Sequence, residues 1–375
     1  MRIERNADVI SGKSDLELLH TFADFPVFMG CTTAARDTDV LADMSFWISR
    51  STGMIQLNPL LPLDVLYPEA HGAGCVGRLW AVHHRSLAEF IANHAPKSVL
   101  EVGGAHGILA LNYQSLASIP WTIVEPNPTP VSGCNARILK GFFDEHFQLD
   151  EEVDVVVHSH VFEHMYDPAK FVSHLASFLQ PGKKLIFSVP NMRVMVERKY
   201  TNCLNFEHTI FLTEDYIELL LGQAGFRVLE REYFMDDHSI FYAAVRDPQA
   251  KVASLDTSLY ARNRAAYDAY VQEHLHLLGS VNADIRQREN VFLFGAHAQA
   301  QYLLGFGLDA GPIVAVLDND ETKHGKRLYG TDKVVYGPAR ITGLEAPTVI
   351  VRAGTFTDEI VEQLRLVNPS TRFLL

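Results

Sequence analysis

The 375-residue chain has only four cysteines, Cys31, Cys75, Cys134 and Cys203, and no two of them form a C-x-x-C pair. Such scatter argues against a disulfide framework or a closed cysteine zinc site, and it suits a reducing cytoplasm. Long apolar runs are missing too. None approaches the roughly 18 residues of a membrane span, so no membrane partner is expected. The opening MRIERNADVISGK lacks the apolar core of a secretory signal. Positive charge is in deficit: 32 Lys and Arg against 45 Asp and Glu give a formal net charge of −13. Nucleic-acid binders normally show a basic stripe, so no nucleic-acid partner is expected, while a local pocket for a small molecule stays open. The sequence has no low-complexity tract and no short-period repeat.

What remains is an ordinary globular composition, 47% hydrophobic and 21% charged, in a chain too long for one core. Residues 1–78 are rich in turn formers and read as an irregular N-terminal lobe. RLWAVHHRSLAEFIANHA, 78–95, has apolar residues at helical spacing. From 98 to about 245 strands and helices alternate. SVLEVGG, WTIVEP, DVVVHSH and KLIFSVP read as strands, with ILALNYQSLA, DPAKFVSHLASFLQPG and TEDYIELLLGQAG as helices. FRVLEREYF and SIFYAAVRD follow one another and predict an antiparallel hairpin at the sheet edge. This pattern gives a doubly wound, mostly parallel α/β domain over 79–246. Residues 247–289 read as a polar helical linker. NVFLFGAH restarts the alternation, and 290–375 form a second, smaller Rossmann-like α/β domain.

EVGGAHG, 101–107, sits where a strand turns into a helix. Gly103 and Gly107 allow the tight turn and a close approach to a ligand that a Cβ would prevent. Glu101 at the strand end repels a pyrophosphate and suits a positively charged or amine-bearing ligand. The next strand ends in Glu125, placed where doubly wound folds hold ribose hydroxyls. A carboxylate accepting two hydroxyl donors is a sound pairing.

With Glu101, Gly103, Gly107, Glu125 and DVVVHSHVFEH taken together, the chain resembles the class I S-adenosylmethionine-dependent methyltransferases. The resemblance implies S-adenosylmethionine as cofactor. It places Glu101, Gly103, Gly104 and Gly107 beside the methionine portion, and Glu125 with Pro126 beside the ribose. Phe142 or Phe143 of GFF falls at the adenine, and His160 at the sulfonium side. The order of the three parts also resembles the sugar C-methyltransferases, with their zinc-binding lobe, central methyltransferase domain and Rossmann-like C-terminal domain. Ser49 and Thr52 stand where that family has a C-x-x-C pair, and hydroxyls do not replace thiolates on zinc. No zinc is therefore expected, and apolar packing is expected to hold the lobe. LYPEAHGAG, with Tyr67, His71, Gly72 and Gly74, corresponds to a family loop over the methionine end.

In those enzymes a Tyr-His-Glu-His segment lines the active site. Here the four positions are Asn205, Phe206, Glu207 and His208, so the Glu-His half matches and the phenol is lost. His208 is the expected general base, with Glu207 orienting it or binding a substrate hydroxyl, and Asn205 as a third catalytic-site residue. His164 competes for the role. No chelating arrangement is evident, so no catalytic metal is expected. In the C-terminal domain FGAHAQAQ keeps only Gly295 of a dinucleotide pattern, which argues against NAD. Asp318 ends the following strand, and His297, Lys323, Lys326 and Arg327 are the candidate phosphate contacts. The implied substrate is a small polar molecule, a nucleotide-linked sugar methylated on carbon or oxygen, with room for a homodimer. Two alternatives are a tandem Rossmann NAD-dependent oxidoreductase or epimerase and a non-catalytic methyltransferase-fold scaffold.

Overall fold

The computed structural model describes residues 2–67, 77–354 and 357–374. The N-terminal lobe contains β1 (Leu16–Pro26), β2 (Cys31–Thr32), β3 (Leu41–Ser49) and β4 (Ile55–Leu57), followed by the short helix α1 (Leu63–Leu66). Strands β1, β3 and β4 form an antiparallel sheet, so the lobe expected to be irregular is in good part regular. In β3, Ala42, Met44, Phe46 and Ile48 alternate into the core as a half-buried strand requires. Register shifts at Leu18/His20 and Phe22/Phe25 interrupt that alternation in β1, which hides the strand from a period-two reading. Ser49 and Thr52 hydrogen-bond to Asp15 and Asp8 at 3.0 Å each, and Phe22, Phe25, Met44 and Phe46 belong to the hydrophobic core.

Helix α2 (Arg78–Asn93) leads into the central domain. Its elements are β5 (Val99–Val102), α3 (Ile108–Gln114), β6 (Trp121–Glu125), β7 (Arg137–Lys140), β8 (Val155–Ser159), α4 (Pro168–Phe178), β9 (Lys184–Pro190), α5 (Met192–Glu197), α6 (Glu214–Gln223), β10 (Phe226–Phe234) and β11 (Ser239–Arg246). They build one sheet in the order β10-β11-β9-β8-β5-β6-β7. Strands β5 to β9 run parallel, while β11 runs antiparallel to both β9 and β10. The expected edge hairpin is present. Strand order reverses on either side of β5, and in doubly wound sheets ligands bind at the carboxyl ends of the strands beside that point.

Helix α7 (Leu259–Ile285) spans the region read as a linker. It is not a free connector. Leu259, Asn263, Tyr267, Tyr270, His274, Leu278, Val281 and Ile285 recur every three or four residues and are buried, so one stripe packs into the molecule while the other face stays polar. The last domain comprises β12 (Val291–Phe294), α8 (Ala298–Gly305), β13 (Ile313–Leu317), β14 (Arg327–Leu328), β15 (Val335–Tyr336), β16 (Thr348–Ile350), α9 (Thr357–Val367) and β17 (Arg372–Leu374). Its parallel sheet has the order β15-β13-β12-β16-β17. Strand β14 leaves that sheet and pairs with β2, joining the C-terminal domain to the N-terminal lobe. Among the described residues no helix is long and apolar enough to cross a membrane.

Candidate active site

The carboxyl ends of β5, β6 and β7 gather the glycine turn, Glu125 and the GFF segment. The Gly103 N–H donates to the Val124 carbonyl (2.9 Å) and the Gly141 N–H to the Glu125 carbonyl (3.1 Å), which closes this corner. Gly103 and Gly107 both have positive φ, 72° and 66°. A Cβ on Gly107 would lie 2.6 Å from Cys134 Sγ, so glycine is required there on two counts. The Glu125 carboxylate accepts from the N–H groups of Ala105 (3.3 Å) and Asn127 (3.0 Å). It stays half-buried at the strand end, with lone pairs left for hydroxyl donors. Pro126 begins a segment that folds back over the turn, the Thr129 and Val131 N–H groups donating to the Ala105 and His106 carbonyls.

Two expected contacts change. Glu101 lies beneath the turn, not on its open side. Its carboxyl is buried and accepts from the Trp121 indole N–H at 2.8 Å, and burial pushes its pKa up to about 8. A Cβ on Gly104 would meet that carboxyl group at 2.8 Å. Glu101 thus braces the turn from below. Phe143 packs against His174 with ring centroids 4.6 Å apart, and against Phe147 and Phe178. Phe142, 62% exposed, is the ring of the pair left open beside Glu125.

The second half of the site lies past β8 and β9. The His160 backbone adopts φ 52° at the end of β8, which turns the chain into the Phe162–His164 helical turn. Its imidazole Nε2 lies 2.8 Å from Ser239 Oγ and Nδ1 3.1 Å from Glu163 Oε1. Trp80, His83 and His238 surround it. His160 therefore stands at the expected strand end, but inside a nest of aromatic rings.

Glu207 and His208 occupy a loop clamped from three sides. The Leu57 N–H donates to the Thr209 carbonyl (2.8 Å), fastening the loop to β4. The Arg5 guanidinium donates to the carbonyls of Leu57 (2.8 Å), Thr209 (2.7 Å) and Tyr166 (3.3 Å). From the C-terminal domain, the Tyr302 hydroxyl donates to the Leu204 carbonyl. Asn205 has another place than expected. Its side-chain oxygen accepts from the Glu207 (2.7 Å) and His208 (2.9 Å) N–H groups, so it shapes the turn and is buried within it. The His208 Nδ1 lies 3.0 Å from the Cys203 carbonyl. A carbonyl only accepts, so Nδ1 carries a proton, and in the neutral ring the lone pair lies on Nε2.

His208 packs edge-on to His164, ring centroids 4.8 Å apart. The Tyr67 hydroxyl lies 3.0 Å from His164 Nδ1, and Glu207 Oε2 3.9 Å from the same atom. Burial lowers the His164 pKa to about 4 and raises that of Tyr67, so His164 is neutral and Tyr67 keeps its proton. Tyr67 thus brings a phenol to the His164–His208 ring pair, not to position 205. His71, Gly72 and Gly74 lie outside the described residues. Sequence reasoning missed Arg5, Trp80, His83, Tyr166 and His238, which come from separate elements and carry no local motif.

The C-terminal turn faces this loop. His297 caps α8, and burial lowers its pKa against the opposing pull of Asp318 and Glu207. Asp318 accepts from the Ala296 N–H (2.7 Å) and pairs with Lys323 (3.0 Å), so its carboxylate holds the turn. Arg327 is spent on Asp39, with bonds of 2.6 and 2.7 Å, and on the Ala34 and Ala35 carbonyls. It is thereby removed from the candidate phosphate contacts.

Comparison with known proteins agrees with this architecture. Residues 78–231 match the family model of a methyltransferase domain, and residues 243–375 match that of a C-methyltransferase C-terminal domain. The chain thus carries a region similar to methyltransferase domains, followed by one similar to C-methyltransferase C-terminal domains. Its curated relatives include a Mycolicibacterium smegmatis protein named "Probable S-adenosylmethionine-dependent methyltransferase", 40% identical over 79 residues, which are 21% of this chain and 30% of that protein. A Mycobacterium tuberculosis protein of the same description is 39% identical over 77 residues, 20% of this chain and 28% of that protein. The chain spans less than a third of the length of these relatives. Among solved structures, human N-acetylserotonin methyltransferase in complex with S-adenosylmethionine aligns at 16% identity and a TM-score of 0.38, over 45% of this chain and 53% of that one.

Proposed function

We propose that the protein transfers a methyl group from S-adenosylmethionine to a small polar acceptor, and that this acceptor is a nucleotide-linked sugar. The observation that carries the reading is His208. Its Nδ1 is tied to the Cys203 carbonyl, which leaves Nε2 as the nitrogen able to take up a proton, in a ring packed against His164. When bound, the cofactor supplies an electrophilic methyl group. The turn at Gly103–Gly107 fits its amino-acid part, Glu125 its ribose hydroxyls and Phe142 the adenine face. His208 Nε2 removes a proton from the acceptor, either a hydroxyl or a carbon beside a carbonyl. Tyr67 and His164 share one hydrogen bond, so one member of the pair at a time has a proton to donate to a developing oxyanion. The match of residues 243–375 to a C-methyltransferase C-terminal domain and the three-part order support the sugar and the carbon acceptor. The lost phenol at Asn205 favours oxygen.

His208→Ala is expected to keep S-adenosylhomocysteine binding and to lower turnover of a nucleotide-linked sugar at least about a hundredfold. Calorimetry and mass detection of the methylated product read the two effects separately. Near-normal turnover would remove His208 from the mechanism, and tight NAD binding without S-adenosylhomocysteine binding would overturn the assignment.

A further inference from the structure

We infer that His83, His160 and His238 form a binding site for a divalent transition-metal cation of the zinc type. One nitrogen from each lies within 4.8 Å of the other two. The ring centroids are 5.3 Å apart for His83–His160, 5.4 Å for His83–His238 and 6.1 Å for His160–His238. Three imidazoles bonded to one ion at about 2.0–2.1 Å have rings at this separation.

His83 supplies the independent observation. Its side chain is completely buried, and among the described residues neither ring nitrogen has a hydrogen-bond partner. An imidazole stranded in this way is destabilising, and a cation accepting its lone pair removes the penalty. Hydrogen bonding around the other two rings fits the same purpose. Glu163, also fully buried, lies 3.1 Å from His160 Nδ1, an ion-pair distance without hydrogen-bond alignment. A carboxylate at that distance favours the Nδ1–H tautomer, which puts the lone pair of His160 on Nε2. His160 Nε2 and His238 Nδ1 converge on Ser239 Oγ at 2.8 and 2.6 Å. That hydroxyl has one hydrogen, so it donates to one ring and accepts from the other. Without the ion the Ser239 hydroxyl donates its hydrogen to His160 Nε2 and His238 donates through Nδ1; a cation at His160 Nε2 takes the place of that hydrogen, and His238 keeps its Nε2 lone pair.

The ligands come from α2, the end of β8 and the turn before β11, so the scaffold fixes their separation. The Trp80 ring lies 5.0 Å from both His160 and His238 and covers one side. Three neutral nitrogens without a carboxylate select a borderline cation over magnesium or calcium. Three protein ligands also leave a fourth position for water or a substrate oxygen. A second trio, Glu163, His164 and His208, has ligand atoms equally close. It contains the base assigned above and is the rival location.

The test titrates chelator-treated, full-length protein with Co2+, read by its visible absorption, and with Zn2+ in competition. One equivalent is expected to bind with tetrahedral absorption bands. His83→Ala and His238→Ala should each weaken binding at least about tenfold, while His208→Ala retains it. No saturable binding by the wild type would overturn the inference, as would unchanged binding in both His83→Ala and His238→Ala. Loss in His208→Ala with retention in His238→Ala would move the ion to the rival trio and overturn it equally. His238 is on a half-buried turn, so His238→Gln decides if His83→Ala fails to fold by circular dichroism. S-adenosylhomocysteine binding on the same samples reports on the methyltransferase reading independently.

Discussion

Glu101 shows how one residue can be read correctly by position and differently by role. Its place at a strand end beside a glycine turn is legible in EVGGAHG. Its orientation is not, because only the fold brings Trp121 against it. The energetic consequence is measurable. Folding raises the Glu101 pKa from the ordinary 4.5 to about 8, chiefly through burial. Between those values the folded protein holds a proton that the unfolded chain releases. Stability is therefore fully present below the unfolded pKa and falls as pH rises toward 8. Urea denaturation of the wild type should show a decline on the order of a few kcal/mol across that window. Glu101→Gln keeps the shape, removes the titration and should flatten the slope. An unchanged slope in the variant would place the linkage elsewhere.

At the scale of elements, the central domain was legible almost strand for strand. Its parallel strands are buried on both faces, so VVV and IFSV stand out as short apolar runs between helical patterns. Strand β7 escaped because Arg137–Lys140 is short and has charged ends. The lobe escaped because bulges break the period of β1 and turn residues bound its pieces. Glu207 and His208 were visible as a dipeptide at the expected rim, and the turn that Asn205 builds under them was not. Nor was the half-buried Arg5, which no motif marks. Its guanidinium, pushed by burial to a pKa of about 9, bonds carbonyl and hydroxyl oxygens from β4, the Tyr166 turn and the Thr209 loop. Arg5→Met should loosen that loop. The expected outcome is a stability loss of about 1–3 kcal/mol and a lower kcat, with S-adenosylhomocysteine affinity unchanged. Unaltered kcat would show that the loop keeps its geometry without the clamp.

At the scale of the molecule, the three parts share structure. The Asp39–Arg327 pair lies between lobe and C-terminal domain, its side chains only 2% and 11% exposed, and Asp39 also accepts from the Gly330 N–H at 2.9 Å. Removing one partner of a buried pair strands the other charge, at a cost of about 3 kcal/mol. Asp39→Ala should lower stability by that amount and should loosen the β2–β14 ribbon, seen as faster hydrogen exchange in both segments. Exchange confined to one segment would mean that the ribbon does not couple the two parts. Changes in pattern along the chain suggested a lobe, a linker and two α/β units. The contacts uniting them could not be read there, since they join residues without local periodicity.

The β2–β14 ribbon also bears on how the protein is made. Its Asp39–Arg327 anchor joins residues 288 positions apart, so a ribosome completes one half long before the other exists. The central sheet can assemble while synthesis continues. The nascent lobe must wait with the aromatic surface of Phe22 and Phe25 uncovered, because Tyr302 and Phe306 have yet to arrive. Chains stalled before α8 should therefore be the ones that chaperones hold longest.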